Sequence, residues 1–353
     1  MFAQVEYPEK LLPEELDTYL AKGWFRMRQS VFTTNFLYFN QRFYPAIWLR
    51  VALDNAIPDK KYFILSKLNK GFRTEVKKAN EAVIDTQHEL LYQYYRQSIS
   101  FDVSPSLQEL LFGNVRYNRF DTHVVNIYDG ATLIAAGFFD LGKNSAAGIT
   151  CIYHPAYKKY SLGKYLMYLK MDFCKQHQLE YFYPGYVVPG YGSFDYKTEI
   201  GKSTLQWLQL SNRQWLPWIQ QTTAPNPLQE MVEKLIALQV PFAKNNIPNA
   251  LLYYKFFEAN LDPYYYGNEL FDFPVFLYCL PPVKTALFTM VVYDVRDARY
   301  HLLKCSSVIN IGFQDGTQTV FDSDLLCVER HLFATDTPAT MEDFLKNQYH
   351  YEL

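Results

Sequence analysis

One stretch, Ile149 to Lys197, limits what this chain can fold into more than any other. An apolar, β-branched run (Ile149, Thr150, Ile152) ends in a turn at Pro155, and Ser161 stands where an N-cap would open an amphipathic helix. Leu162, Tyr165, Leu166, Leu169 and Phe173 recur at three- and four-residue spacing, while Lys164, Lys170, Lys175 and Gln176 fall mostly on the other side. A second strand-like run, Tyr181 to Val188, then meets Pro189-Gly190. The order predicts a β-loop-α-β unit. Unpaired N–H groups at the helix start face its loop mouth, which suits an anion or a developing oxyanion.

The segments before this unit feed it. Asp85–Arg96 reads as a helix capped by its aspartate, and Ser106–Gly113 as a shorter one ending at glycine. His123–Tyr128 and Thr132–Leu141 flank Asp129-Gly130, a two-residue hairpin signal, and Gly142-Lys143-Asn144 turns the chain into Ala147–Tyr153. Further upstream, Leu11–Leu16 opens a short helix closed by Gly23, and FTTNFLYF and AIWLRV read as strands between Phe32 and Val51. Between them and the first long helix lies a basic run. Lys60, Lys61, Lys67, Lys70, Arg73, Lys77 and Lys78 stand against Glu75 alone, a local net charge of +6 in a chain whose formal charge is -2. This run reads either as a nucleic-acid face or as a solvated helix and loop surface.

Beyond Trp218, Gln221–Pro227 reads as a linker, Leu228–Leu238 and Asn249–Asn260 as helices, and Pro274–Leu280, Ala286–Val295 and Ser307–Phe313 as strands. The expected architecture is α+β in three parts: an N-terminal module over 1–80, a central domain over 81–218 and an α+β extension over 219–353. Five cysteines without CxxC spacing fit reduced thiols better than a disulfide framework or a zinc site, so no metal is expected. No apolar run approaches spanning length and the N-terminus lacks a signal-peptide pattern, which predicts a cytoplasmic protein with no membrane partner. The oligomeric state is not readable from the sequence.

The order of elements resembles the GNAT acyltransferase fold. More narrowly, YHPAYKKYSLGKY and LEYFYPGYVVPGYGSFDYK are similar to the aminoacyl-tRNA-protein transferases, the arginyl- and leucyl-transferring enzymes of the N-degron pathway. The family pattern is matched at Tyr153, Pro155, Ser161, Leu162, Gly163, Tyr165, Leu179, Tyr181, Tyr183, Gly185, Tyr186, Pro189, Tyr196 and Lys197, with Gly23-Trp24, Arg26, Val31-Phe32, Arg50 and Asn69 upstream. It departs from the family in four places. No cysteine precedes Cys151, the segment Tyr62–Asn69 is largely apolar where the family is basic, Tyr191-Gly192-Ser193-Phe194 stands where the family has a Cys-x-Lys-Met segment, and Lys170 occupies a position that is acidic or glutamine in the family.

The resemblance implies transfer of arginine or leucine from charged tRNA, the co-substrate, to the N-terminal α-amine of a protein or peptide, without a bound cofactor. It implies Tyr186, Tyr196 and Lys197 as catalytic residues, with Arg26, Arg50, Tyr183, Lys170, Ser161 and Gly163 around the substrate. The seven cations of the basic run would bind tRNA. Two alternatives stand beside it: a GNAT enzyme using another acyl donor such as acyl-coenzyme A, and a non-catalytic binding descendant. Tyr165 disfavours the coenzyme, since it stands where a pyrophosphate loop needs a small residue. Chemically, an α-amine with a pKa of about 7.7–8 is on the order of a tenth neutral at pH 7, so positioning outweighs a strong base. His154 reads as a turn residue rather than a base, Ser161 as a cap rather than a nucleophile, and Cys151 and Cys174 as inert thiols.

Overall fold

The computed structural model describes residues 1–79, 84–99, 103–113, 115, 117–219, 225–280, 286–311 and 319–351. The 80/81 boundary and most of the expected linker 221–227 lie outside them. Among the described residues the chain is mixed α+β.

The N-terminal part begins with β1 (Ala3–Glu6), α1 (Pro13–Ala21), β2 (Phe25–Met27) and β3 (Ser30–Thr34), and the three strands form a small antiparallel sheet ordered β1-β3-β2. The run FTTNFLYF is interrupted at Asn35, so its second half, β4 (Phe36–Phe39), pairs instead with β5 (Arg42–Pro45) across a turn in which Asn40 and Gln41 take positive φ. β6 (Ile47–Ala52), α2 (Lys60–Leu68) and β7 (Arg73–Lys78) follow.

Next come α3 (Thr86–Gln97), α4 (Leu107–Phe112), β8 (Thr122–Asp129), β9 (Thr132–Leu141), β10 (Ser145–Tyr153), α5 (Leu162–Gln176), β11 (Tyr181–Val187), β12 (Leu205–Leu208) and β13 (Trp215–Pro217). They build an eight-stranded sheet ordered β13-β12-β6-β11-β10-β9-β8-β7. β8, β9 and β10 are antiparallel, while β10 and β11 are parallel and joined through α5. β6 and β7, both from before residue 80, are integral strands of this sheet. An apolar core that includes Leu162, Leu166, Met171 and Phe182 seats α5 and α2 on one face. The other face is covered by α3 and α4 through Leu91, Tyr92, Leu107 and Phe112, and by α1 through Leu16 and Leu20.

The C-terminal part contains α6 (Pro227–Lys244), β14 (Asn249–Tyr254), β15 (Val275–Cys279), β16 (Phe288–Asp294), β17 (Arg299–Asn310), β18 (Val320–Phe321), β19 (Asp324–Thr335) and α7 (Pro338–Tyr351). Its sheet runs β18-β14-β15-β16-β17-β19, and α6 packs on it through Met231, Leu235, Leu238 and Phe242. The expected helix over Asn249–Asn260 is instead β14 and a turn. NALLYYKFF is rich in aromatic and apolar residues that suit a half-buried pleat, and β15 supplies the partner that makes the strand worthwhile. The strand expected over Ser307–Phe313 is the end of β17; residues 312 and 313 lie outside the described set. No described helix is long and apolar enough to cross a membrane.

Candidate active site

β10 and β11 stay together only from Ser145–Ala147 against Tyr181–Tyr183. Beyond that point β10 follows β9, with a bulge between Gly148 and Thr150, and β11 follows β6, with an irregularity between Phe182 and Gly185. Strands that part in this way leave a wedge-shaped gap, and bulges beside such gaps re-aim side chains. Thr150 to Tyr153 line one side of the gap and Gly185 to Val187 the other.

The turn after β11, a 3-10 segment over Gly192–Glu199, brings Tyr196 and Lys197 back to this gap. Lys197 Nζ donates to the carbonyl of Tyr186 at 2.9 Å and lies 5.2 Å and 5.0 Å from the ring centres of Tyr186 and Phe194. Gly185 makes room for it: its φ is +92°, and a Cβ there would stand 3.2 Å from Nζ. Burial lowers the Lys197 ammonium to a pKa of about 8, with the Cys151 sulfur opposing the shift. Burial drives the Tyr196 phenol well above its ordinary value, helped by Cys151 and Tyr95, so it stays a hydrogen-bond donor at neutral pH. Tyr95 of α3 meets the ring of Tyr153 at 5.6 Å.

Tyr186 turns its ring the other way. It packs edge-on against Trp48 at 5.0 Å, and burial, with Glu258 of the C-terminal part nearby, pushes its phenol up to about 12. What it offers Lys197 is its carbonyl and ring face. Glu258 accepts from the Tyr38 N–H at 3.1 Å, and burial raises its carboxyl to about 7. Phe39 and Tyr44 of the β4–β5 hairpin contact Tyr191, at 4.8 Å and 6.0 Å. The hairpin therefore links the turn carrying Lys197 to the C-terminal part.

The other expected residues divide. Lys170 comes to the gap from α5, only 1% exposed. Its Nζ donates to the carbonyls of Phe138 at 2.7 Å and Thr150 at 3.0 Å and lies 3.3 Å from Cys151 Sγ. Gly163 lies under the Tyr153 ring at the start of α5. Tyr183 is buried in the core beneath α1, with the Arg50 guanidinium beside its phenol. Arg50 itself stacks over Tyr181 at 4.0 Å and Trp215 at 4.7 Å and donates to Gln206, so it braces β6 against its neighbours.

Arg26, expected beside the substrate, is engaged within the fold. Its side chain is 3% exposed and ion-paired to Asp140 at 2.8 Å, with Thr122 as a further partner, which makes it a tie between β2 and the large sheet. Ser161 does stand at the N-cap of α5, its carbonyl accepting from the Tyr165 N–H, but in a left-handed conformation, φ +51°, ψ +41°, and with no side-chain cap bond, as the preceding 3-10 turn Pro155–Tyr160 runs directly into the helix. His154 caps that turn through Nδ1, at 3.2 Å from the Ala156 N–H, the structural role expected of it.

The basic run splits between two elements. On the β7 side, Arg73 and Lys77 pair with Glu75 and Lys78 pairs with Asp121. Lys61 joins Lys164 on Glu199, whose carboxyl falls to about 2 under those two bonds. Lys60, Lys67 and Lys70 are exposed and form no ion pair among the described residues. Lys60 and Lys67 share a helix face with Phe63 and Ile64, which are 60% and 53% exposed, on a helix that Tyr62, Asp59 and Tyr168 fasten to α5, and Lys70 follows just past its end. The Lys61–Glu199 bond sets this face beside the turn that carries Lys197.

Sequence reasoning missed Tyr95, Glu258 and the pairing of Cys151 with Lys170. For Cys151 a signal existed: it shares strand parity with Tyr153, the side that faces α5. For Glu258 there was none, since its approach depends on how two sheets pack.

Residues 87–206 match the family described as arginine-tRNA-protein transferase, C terminus. Two Leptospira interrogans proteins, from serovars copenhageni and Lai of serogroup Icterohaemorrhagiae, are each described as an aspartate/glutamate leucyltransferase. Each is 26% identical over 205 residues, 55% of this chain and 76% of theirs. Among solved structures, L-PGS from Bacillus licheniformis aligns at 12% identity and a TM-score of 0.29, over 52% of each chain. A GCN5-related glucosamine N-acetyltransferase region of a fungal multi-domain enzyme aligns at 12% and 0.28, over 55% of this chain and 21% of that one.

Proposed function

We propose that this chain, a divergent relative of the aminoacyl-tRNA-protein transferases, moves an aminoacyl group from the 3′ end of a charged tRNA to the N-terminal α-amine of a protein. The observation that carries this reading is the convergence of Tyr196 and Lys197 on the gap between β10 and β11, since β10, α5, β11 and the turn all fall within the matched segment. Acyl transfer needs donors for the tetrahedral oxyanion and a way to protonate the leaving ribose oxygen. Tyr196, held protonated, supplies a donor. Lys197, with a pKa of about 8, is both a cation for the oxyanion and a group able to give up a proton near neutral pH. The exposed cations on and just after α2, with Phe63 on the same helix, suit a phosphate backbone and an unstacked base at the acceptor end. Leucine is favoured over arginine as the transferred residue by the description of the two relatives.

The test is direct. Purified protein is incubated with leucyl- or arginyl-tRNA and peptides of varied N-terminus, and labelled peptide is measured. Transfer that falls roughly a hundredfold in Lys197→Met, as expected for a transition-state donor, supports the reading. Absence of both charged-tRNA binding and peptide labelling with either tRNA overturns it.

A further inference from the structure

Cys151 lies on β10 opposite Gly137 of β9, and the two share the stem of Lys170. A Cβ on Gly137 would stand 2.8 Å from Lys170 Cε, so the missing side chain is what lets the lysine lie flat on the sheet and reach Sγ. Around Nζ there are three neighbours: the Phe138 and Thr150 carbonyls, and Cys151 Sγ at 3.3 Å. As a neutral amine, Lys170 gives its two N–H groups to the carbonyls and turns its lone pair to the thiol proton. As an ammonium it gives its third N–H to a thiolate. Both states leave every partner satisfied, so a proton can pass between sulfur and nitrogen without stranding a buried polar group. Among the described residues no carboxylate forms an ion pair with Lys170, and Cys151 is the side chain bonded to its Nζ, while Asp140 acts on it only electrostatically. Burial lowers the Lys170 ammonium, the direction a base needs.

Cys151 is also placed to meet substrate. It is only partly buried, on the β10 side of the gap whose other side carries Gly185 to Val187, and its sulfur helps to raise the Tyr95 and Tyr196 phenols and opposes the lowering of the Lys197 ammonium. A nucleophile within reach of a base that is itself oriented by fixed acceptors is the arrangement nucleophilic catalysis requires.

We propose that Cys151 and Lys170 are a nucleophile–base dyad and that Cys151 carries the aminoacyl group as a thioester before the acceptor amine takes it. This rests on the proposed transferase activity. Lys170 takes the thiol proton as Sγ bonds to the acyl carbon of the tRNA ester. The C–O bond to the ribose oxygen breaks, and that proton leaves with the ribose as its hydroxyl. The acceptor's neutral amine then attacks the thioester, the C–N bond forms, the C–S bond breaks, and a proton from the amine restores the thiol. Nothing is oxidised or reduced.

The experiment has two arms. Protein is mixed with leucyl- or arginyl-tRNA without acceptor, quenched in acid and mapped by mass spectrometry. The expected result is an aminoacyl adduct on Cys151, discharged by neutral hydroxylamine and absent from Cys151→Ser, whose turnover falls at least a hundredfold. Turnover of both Cys151→Ser and Cys151→Ala within threefold of the parent overturns the dyad and leaves the transferase reading standing. The second arm needs no tRNA. Iodoacetamide should alkylate Cys151 at least tenfold faster than Cys327, the other partly buried thiol, and Lys170→Met should erase the difference. Equal rates in the parent protein overturn the proposal. Should the parent protein transfer nothing from either tRNA, the transferase reading fails by itself and this ratio alone decides the dyad.

Discussion

Lys197 shows how far one residue's surroundings can set its chemistry. A lysine is ordinarily protonated to well above pH 10, and here burial brings its pKa to about 8. The unfolded chain binds this proton more tightly than the folded one, so the group costs stability below about pH 8 and the cost is relieved as pH rises toward the unfolded value. Lys197→Met should therefore stabilise the protein at pH 7 by on the order of 3 kcal/mol, with the gain shrinking by pH 10. Urea titrations of both proteins at the two pH values would show it. Glu258 is the mirror case. Its carboxyl is raised to about 7, so the stability it allows is present at pH 4–5 and lost as pH climbs through 7. Glu258→Gln keeps an acceptor for the Tyr38 N–H and should raise the melting temperature at pH 8 while changing little at pH 5. A melting temperature unchanged at both would mean that solvent reaches the carboxylate.

The element that most affects the proposed chemistry outside the gap is α2. Lys60, Lys67 and Lys70 are free to meet phosphate, whereas the β7 cations are held by Glu75 and Asp121. Each phosphate contact removed should reduce the slope of log affinity against log salt by about 0.7–0.9. A triple Lys60, Lys67, Lys70→Ala variant should thus bind charged tRNA with a visibly flatter salt dependence, while Lys77→Ala should bind like the parent. If the two behave alike in a filter-binding titration, the basic run is a solvated face. α6 shows the limit of local rules. The helix expected over Leu228–Leu238 continues through Pro241 to Lys244, where the full burial of Phe242 against the C-terminal sheet offsets the lost N–H bond.

Across the whole molecule, the N-terminal strands and the C-terminal sheet share a core. Phe36 is fully buried, meets Phe2 at 5.0 Å and Phe257 at 6.5 Å, and so belongs to the C-terminal cluster although it starts the N-terminal hairpin. Phe36→Ala should cost about 3–5 kcal/mol, the usual range for emptying such a site. Because that hairpin also contacts Tyr191, the variant should lose transfer activity along with stability, measured below its own melting temperature. Retained activity in a destabilised Phe36→Ala would show that the extension only supports the fold.

The reach of the sequence follows from which forces are local. Periodicity and turn chemistry along Asp85–Val188 were enough for α3, the β8–β9 hairpin and the β10–α5–β11 unit, because 3.6- and 2-residue spacing and an Asp-Gly turn act within a few residues. Tyr196 and Lys197 come from the family resemblance and not from these cues, and the turn after β11 holds them beside the gap. The cues failed at Asn249–Tyr254, where an aromatic run is strand or helix depending on whether β15 is there to pair with it. They are silent on Arg26, whose buried partner Asp140 lies more than a hundred residues away, and on Cys151, whose lysine comes from another element. Which strands part, which side chains fill the gap between them and which charges are left there without water are long-range packing outcomes. Only the tertiary structure decides them.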